Sequence, residues 1–325
     1  MNLHTRYATS GKVRSAALVA GLVLGLAGCG AAAPAPAAPP APAAASARAS
    51  GAATVQPAGG AQRVTKVLVV VEENHSLDEM RSQMPYLAGL AKRFGYADHY
   101  TAIRHPSLPN YLAIAGGDTF GVADDAAPAD HVLQGPSVFS QAQEAGLTAG
   151  TWEESMTQPC QLTPDETTRY AAKHNPWAYF ADERAACLSG DRGTGFVEAA
   201  KDDALPNVGM LIPNTCHDAH DGDTGCTLPD ADAWLQGQLP AVLESDDFTS
   251  GALAVVVTAD EDDRSSGNTV LTVVAQAGLD GSGTVVSTPL THYSLSRLCS
   301  EVVGAAPLRQ AADAPDLAEA FHLPV

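Results

Sequence analysis

Val64-Thr65-Lys66-Val67-Leu68-Val69-Val70-Val71 runs straight into Glu72-Glu73-Asn74-His75. The first eight residues are mostly apolar and β-branched, the pattern of a strand covered on both faces. Further strands of this kind are predicted at 147–152, 208–212, 252–258 and 270–275. Between them, apolar spacing predicts helices at 85–94, 138–145, 232–243 (despite Pro240) and 292–303. Strands alternating with helices make this an α/β chain, with a mainly parallel central sheet and helices on both faces.

Ligands of such sheets bind beyond the carboxyl ends of the strands. Three of the predicted strands end in polar clusters. Glu72, Glu73, Asn74 and His75 follow the first. Asn214, His217, Asp218, His220 and Asp221 follow the strand at 208–212. Asp260, Glu261, Asp262 and Asp263 follow the strand at 252–258. The topology would bring all three to one sheet edge. Carboxylates gathered this way repel one another unless protonated or neutralised. A divalent metal ion with oxygen and imidazole ligands is the expected solution, its identity left open by the ligand types.

Between the first two clusters lies His105-Pro106-Ser107-Leu108-Pro109-Asn110-Tyr111. A helix is predicted at 112–115, stopped by Gly116-Gly117, with Pro109 suited to its first turn. Ser107 then sits near a helix N-terminus, an end that favours a phosphoryl group. Spacing alone leaves two roles open for it, a nucleophile or an ordinary N-cap.

These residues carry a resemblance. The chain is similar to the bacterial phosphoesterase family of acid phosphatases and phospholipases C, and most like its short secreted acid phosphatases. The similarity covers about residues 64–322. It is anchored on Glu73-Asn74-His75-Ser76, the Ser107 motif, Lys173-His174-Asn175-Pro176 and Pro213-Asn214 leading to Asp218-Ala219-His220-Asp221. Asp260-Glu261-Asp262-Asp263 and Thr288-Pro289-Leu290-Thr291-His292-Tyr293 complete it. The resemblance implies an alkaline-phosphatase-like sandwich and metal-dependent hydrolysis of phosphate monoesters. A small phosphate ester or a phospholipid head group would be the substrate, phosphoinositides included. It implies Ser107 as nucleophile, forming a phosphoenzyme, and Glu73, Asn74, Asp260, Glu261 and Asp218 as metal ligands. His174, His220 and His292 are implied as catalytic groups or ligands, and Lys173, Asn110 and Asn175 as substrate contacts. Leu77-Asp78-Glu79 after the first motif, Tyr111 after Pro-Asn, and the lack of an extra C-terminal region set the chain apart from the phospholipase C branch. A phospholipase C is the alternative. A lipoprotein that binds metal or phosphate without turnover is the other.

Outside this region, residues 1–29 have a basic start (Arg6, Lys12, Arg14) and an apolar run at 16–26, shorter than the roughly 20 residues a membrane span needs. They end in Leu26-Ala27-Gly28-Cys29. That ending resembles a lipobox and predicts a lipoprotein signal peptide, with Cys29 lipidated and the protein exported and membrane-anchored. Residues 30–62 are almost wholly Ala, Pro, Gly and Ser, a disordered linker. Residues 63–325 are read as a single catalytic domain. All 37 acidic residues lie there, and the net charge of −19 argues against nucleic acid as a partner. Export permits disulfides. The sequence-local pairs Cys160–Cys187 and Cys216–Cys226 are favoured, leaving Cys299 free.

Overall fold

The computed structural model describes residues 62–220 and 225–325. The expected signal peptide with Cys29, most of the expected linker, and Asp221 lie outside the described residues.

The described elements, in chain order, begin with β1 (Lys66–Glu72), α1 (Leu77–Gln83), α2 (Pro85–Arg93), β2 (Gly95–Ala97), β3 (Tyr100–Thr101) and α3 (Ser107–Gly116). Then come α4 (Val138–Glu144), β4 (Ala149–Glu153), α5 (Arg184–Gly190), β5 (Asp191–Arg192), α6 (Phe196–Lys201) and β6 (Val208–Ile212). The chain continues through α7 (Leu228–Leu243), α8 (Asp246–Thr249), β7 (Leu253–Ala259), β8 (Thr272–Ala275), β9 (Thr284–Val286), β10 (Leu290–Thr291), α9 (His292–Val302) and α10 (Leu317–Phe321).

Eight strands form one sheet in the order β5-β4-β6-β1-β7-β8-β2-β9. β1 sits at its centre, parallel to β6 on one side and to β7 on the other, with Val69 opposite both Met210 and Val256. β8 alone runs against its neighbours, β7 and β2. Val67, Leu68, Val69, Val70 and Val71 are all buried, because helices cover both faces of the sheet. β6 and β7 are buried along their whole length for the same reason. The predicted α/β architecture is therefore the observed one.

Two boundaries differ instructively. α7 begins four residues before the expected helix, because Thr227 and Asp230 form a capping box and Pro229 fits the first turn. α3 begins at Ser107, not at residue 112. Pro106 occupies the cap position and makes no side-chain bond there. The N-cap role for Ser107 is thereby excluded, and its hydroxyl is turned to another partner.

Both expected disulfides are formed, Cys160–Cys187 and Cys216–Cys226, and Cys299 is buried as a free thiol. Among the described residues, no helix is long and apolar enough to cross a membrane.

Candidate active site

The carboxyl end of β1 is where the three polar clusters meet. Glu73 follows the last residue of β1, and its N–H donates to the carbonyl of Asp218 at 3.0 Å. His75 Nε2 lies 3.0 Å from the carbonyl of Ala219. Asp218 Oδ1 accepts the N–H of His220 at 2.7 Å. These bonds fasten the loop after β6 to the end of β1, so that Asp218 and His220 face Glu73. On the other side, Asp260 donates its N–H to the carbonyl of Glu72 at 2.9 Å and accepts the N–H of Asn74 at 3.2 Å. Asn74 sits in the left-handed region (φ 51), which an Asn tolerates better than most residues.

Ser107 enters from α3. Its Oγ donates to Glu73 Oε1 at 2.6 Å, and Lys173 Nζ lies 3.1 Å from the same Oγ. Glu73 is fully buried, yet donors surround it. His174 Nε2 is 2.5 Å and Lys173 Nζ 3.2 Å from Oε1, while His220 Nδ1 pairs with Oε2. His174 stacks on Tyr111 of α3 at 4.8 Å between ring centroids, and its Nδ1 is 3.3 Å from Asp218 Oδ2.

Two residues missed by the sequence reading complete this wall. Asp125 accepts the N–H of Leu108, in the first turn of α3, at 3.0 Å and holds Lys173 Nζ at 3.2 Å. It thus ties the nucleophile's helix to the site's ammonium group. His105 bridges Glu261 (2.8 Å) and Asp262 (3.2 Å). Asp125 stands in an irregular loop whose pattern gives no signal. His105 belongs to a quoted motif, and only the fold supplies its partners. An open cleft of about 360 Å³ is lined by Ser107, Asp125, Lys173, His220, Glu261 and Arg264, among others.

Other predicted site residues stand back from this cleft. Asn110 clamps the loop before α3: its Oδ1 accepts from Ile103 and Arg104, and its Nδ2 donates to the carbonyls of Arg104 and Pro106. Asn175 points inward, donating to Asp191 at 2.7 Å and Tyr170 at 3.1 Å, and does not line the cleft. His292, the first residue of α9, is fully buried between the Tyr100 hydroxyl (3.1 Å) and the carbonyl of Asp260 (2.7 Å). A carbonyl can only accept, so Nε2 carries the proton and Nδ1 accepts from Tyr100. Burial lowers its pKa to about 4 and keeps it neutral. His292 therefore positions Asp260 and does not itself face the cleft.

The donor set suits a cation. Glu73, His174, Asp218 and His220 offer ligand atoms within 4.8 Å of one another. Asp260 and Glu261 stand outside that foursome, and Asp260 connects to it through Asn74, which donates its N–H to Asp260 and its Nδ2 to Glu73 Oε2 at 3.4 Å. Burial, then the charge of Glu261, raises the Asp260 carboxyl above its ordinary range, and Asp260 Oδ2 is buried with no hydrogen-bond partner. Burial, then Asp125, raises Glu261 likewise. Desolvated carboxylates with an unmatched oxygen are relieved by a bound positive ion.

Known proteins resemble this chain at two levels. Residues 79–304 match the phosphoesterase family. The phosphatidylinositol-3-phosphatase of Mycobacterium tuberculosis is 31% identical over 255 residues, covering 78% of this chain and 81% of that one. The phosphate-repressible acid phosphatase of Penicillium chrysogenum is 31% identical over 222 residues, 64% of this chain. The chain spans about half (52%) of that fungal relative's length. By structure, a protein of the alkaline phosphatase superfamily from Vibrio parahaemolyticus aligns with TM-score 0.52 at 10% identity, over 77% of this chain and 70% of that one. The sulfatase PsFucS1 from Pseudoalteromonas sp. aligns with TM-score 0.54 at 12% identity, over 81% and 72%. The fold is alkaline-phosphatase-like, as the sequence predicted.

Proposed function

Since the chain belongs to the phosphoesterase family, we propose that it is a phosphoric ester hydrolase that cleaves phosphate monoesters through Ser107. The observation that carries this is the Ser107 hydroxyl. It lies at the start of α3, 2.6 Å from a carboxylate and 3.1 Å from an ammonium group, on the wall of a cleft.

In the first step, Ser107 Oγ attacks phosphorus and its proton passes to Glu73 Oε1. The bond from phosphorus to the ester oxygen breaks, and protonated His220 at the cleft wall gives its proton to the departing alcohol. In the second step, water attacks the phosphoserine and yields a proton to His220. The serine oxygen leaves and recovers its proton from Glu73. Lys173 and the N-terminal end of α3 offset the charge on the phosphoryl oxygens in both steps. Asp125 holds Lys173 and α3 in register, Asn110 fixes the loop that carries His105 and Pro106, and His292 steadies Asp260.

A divalent cation would be held by Glu73 with Asn74, Asp260 and Glu261, since the other set, Glu73 with Asp218, His174 and His220, would consume the imidazole that protonates the leaving alcohol. When bound it would polarise the phosphoryl oxygens and acidify the serine hydroxyl. Glu73 belongs to both sets.

The name of the mycobacterial relative makes phosphoinositides the first lipid substrates to try. Export and a lipid anchor at Cys29 would bring the enzyme to such head groups, and the two disulfides fit an oxidising compartment. Fatty-acid labelling of the full chain, lost on Cys29→Ser, tests the anchor; labelling that persists in that variant rejects it.

Activity is tested by phosphate release from an aryl phosphate, with and without chelator. Ser107→Ala should lower kcat by on the order of 10⁴-fold or more while the fold is kept. Wild-type turnover in that variant would reject Ser107. Full activity after exhaustive chelation would reject the metal. Release of diacylglycerol in place of inorganic phosphate would mark a phospholipase C.

A further inference from the structure

Next to the catalytic cleft, and sharing Asp125 and Lys173 with it, lies a second hollow of about 200 Å³. Its remaining lining is Ala127, Pro164, Ala171 and Ala172, all small and apolar. Two loops build it. The one with Asp125 and Ala127 is fastened by the Tyr179 hydroxyl, which donates to the carbonyl of Ala126 at 2.8 Å. The other is fastened by paired backbone bonds between Asp165 and Tyr170, and by the Tyr170 hydroxyl on the carbonyl of Gln161 at 2.7 Å. The walls are therefore held in place, and the hollow does not depend on a ligand to form.

We propose that this hollow is the subsite for the organic group of the ester, and that it selects phosphate esters bearing a compact apolar or aromatic group. The inference rests on the phosphatase assignment above. Continuity is what identifies the occupant. Lys173, whose Nζ lies 3.1 Å from the Ser107 oxygen, also lines the hollow. A phosphate seated over Ser107 is thus beside the hollow's mouth, and whatever is esterified to it is the group at hand. With Lys173 turned toward the phosphoryl group and the Asp125 carboxylate occupied by the Leu108 N–H and Lys173 Nζ, the remaining walls offer methyl groups and a proline ring. Such walls gain from burying apolar surface and offer few bonds to a polyhydroxylated group, so on this reading an inositol phosphate binds less well than an aryl phosphate, whatever the mycobacterial relative acts on. In a chain this acidic, a small apolar lining beside the reacting centre also gives selectivity that the general charge cannot.

The test separates this subsite from the chemistry. Methylphosphonate and phenylphosphonate bear one anionic head and differ in the organic group, and their binding to the full chain is measured by calorimetry, without turnover. Phenylphosphonate should bind about tenfold or more tightly, the scale of discrimination that an apolar pocket achieves. Ala171→Phe and, on the other loop, Ala127→Phe fill the hollow, and either should bring the ratio of the two affinities toward one. Equal affinity in the wild type, or a ratio unchanged in both folded variants, would overturn the subsite. Because no turnover is needed, a failure here is distinct from a failure to release phosphate from any ester, which would overturn the phosphatase assignment.

Discussion

Glu72 and Glu73 are neighbours at the end of one strand, both fully buried, and their surroundings could hardly differ more. Glu73 has a hydroxyl, an ammonium group and two imidazoles around it. Neither carboxyl oxygen of Glu72 has a hydrogen-bond partner, and the charges acting on it are those of Asp218, Asp232 and Glu154. Burial, reinforced by those acids, raises its pKa well above the ordinary value, so Glu72 keeps its proton to higher pH than a free glutamic acid does. Side chains alternate along a strand, and one step along the chain separates the cleft from the packed interior. The difference teaches that a polar cluster at a strand end marks a site, and that the pleat then selects which member serves it.

Breaking the Glu73 side of this contrast should have the largest effect. Glu73→Gln keeps the shape but removes the charge that Ser107, Lys173 and both histidines share. It should lower kcat for an aryl phosphate by roughly 10³-fold or more. A loss below tenfold would return Glu73 to a structural role. Lys173→Met removes the positive charge and keeps much of the stem's bulk, and should cost about 10²-fold in kcat/KM. An unchanged value would mean that the ammonium group faces Asp125 alone.

Glu72→Gln sharpens the same contrast from the other side. Activity should stay within about threefold of wild type, since no bond in the cleft involves this side chain. Its stability effect has a definite sign. In the unfolded chain a glutamic acid ionises near pH 4.5, while the folded protein holds the proton to higher pH. The raised pKa favours the fold fully below 4.5, and that advantage is lost as pH climbs. Urea midpoints of wild type and variant should therefore match near pH 4, with the variant more stable at pH 7. The reverse order at pH 7 would show that Glu72 is ionised and paired in the fold.

A weaker version of the effect is expected at Asp191, whose carboxyl burial raises from 3.8 to about 6 even though Asn175, Thr151 and the Cys160 N–H donate to it. Asp191 should contribute stability below pH 3.8 that fades as pH rises to about 6, and Asp191→Asn should flatten the urea midpoint over that interval. An unchanged slope would contradict it.

How much of this was legible in the sequence follows the same physics. β1, β6 and β7 could be read because strands buried on both faces are written as unbroken apolar runs. β2, β3, β9 and β10 have two or three residues each, too few to show a period, and only pairing with distant partners defines them. In the site, Glu73, Ser107, Lys173 and His220 could be picked out because ordered motifs carry them. Asp125 could not, since nothing in 123–128 distinguishes one loop carboxylate from another until Leu108 and Lys173 are seen to converge on it. Asn175 and His292 show the converse. Their motifs put them near the site, but their side chains turn into the interior, where Asp191 and Asp260 need donors.

The covalent role of Ser107 is tested most directly by the stereochemical course at phosphorus, followed with a phosphate monoester made chiral by oxygen isotopes and transferred to an acceptor alcohol. Two successive in-line displacements through a phosphoserine predict net retention of configuration. Inversion would mean that the acceptor attacks the substrate directly, and Ser107 would then be a bystander beside Glu73.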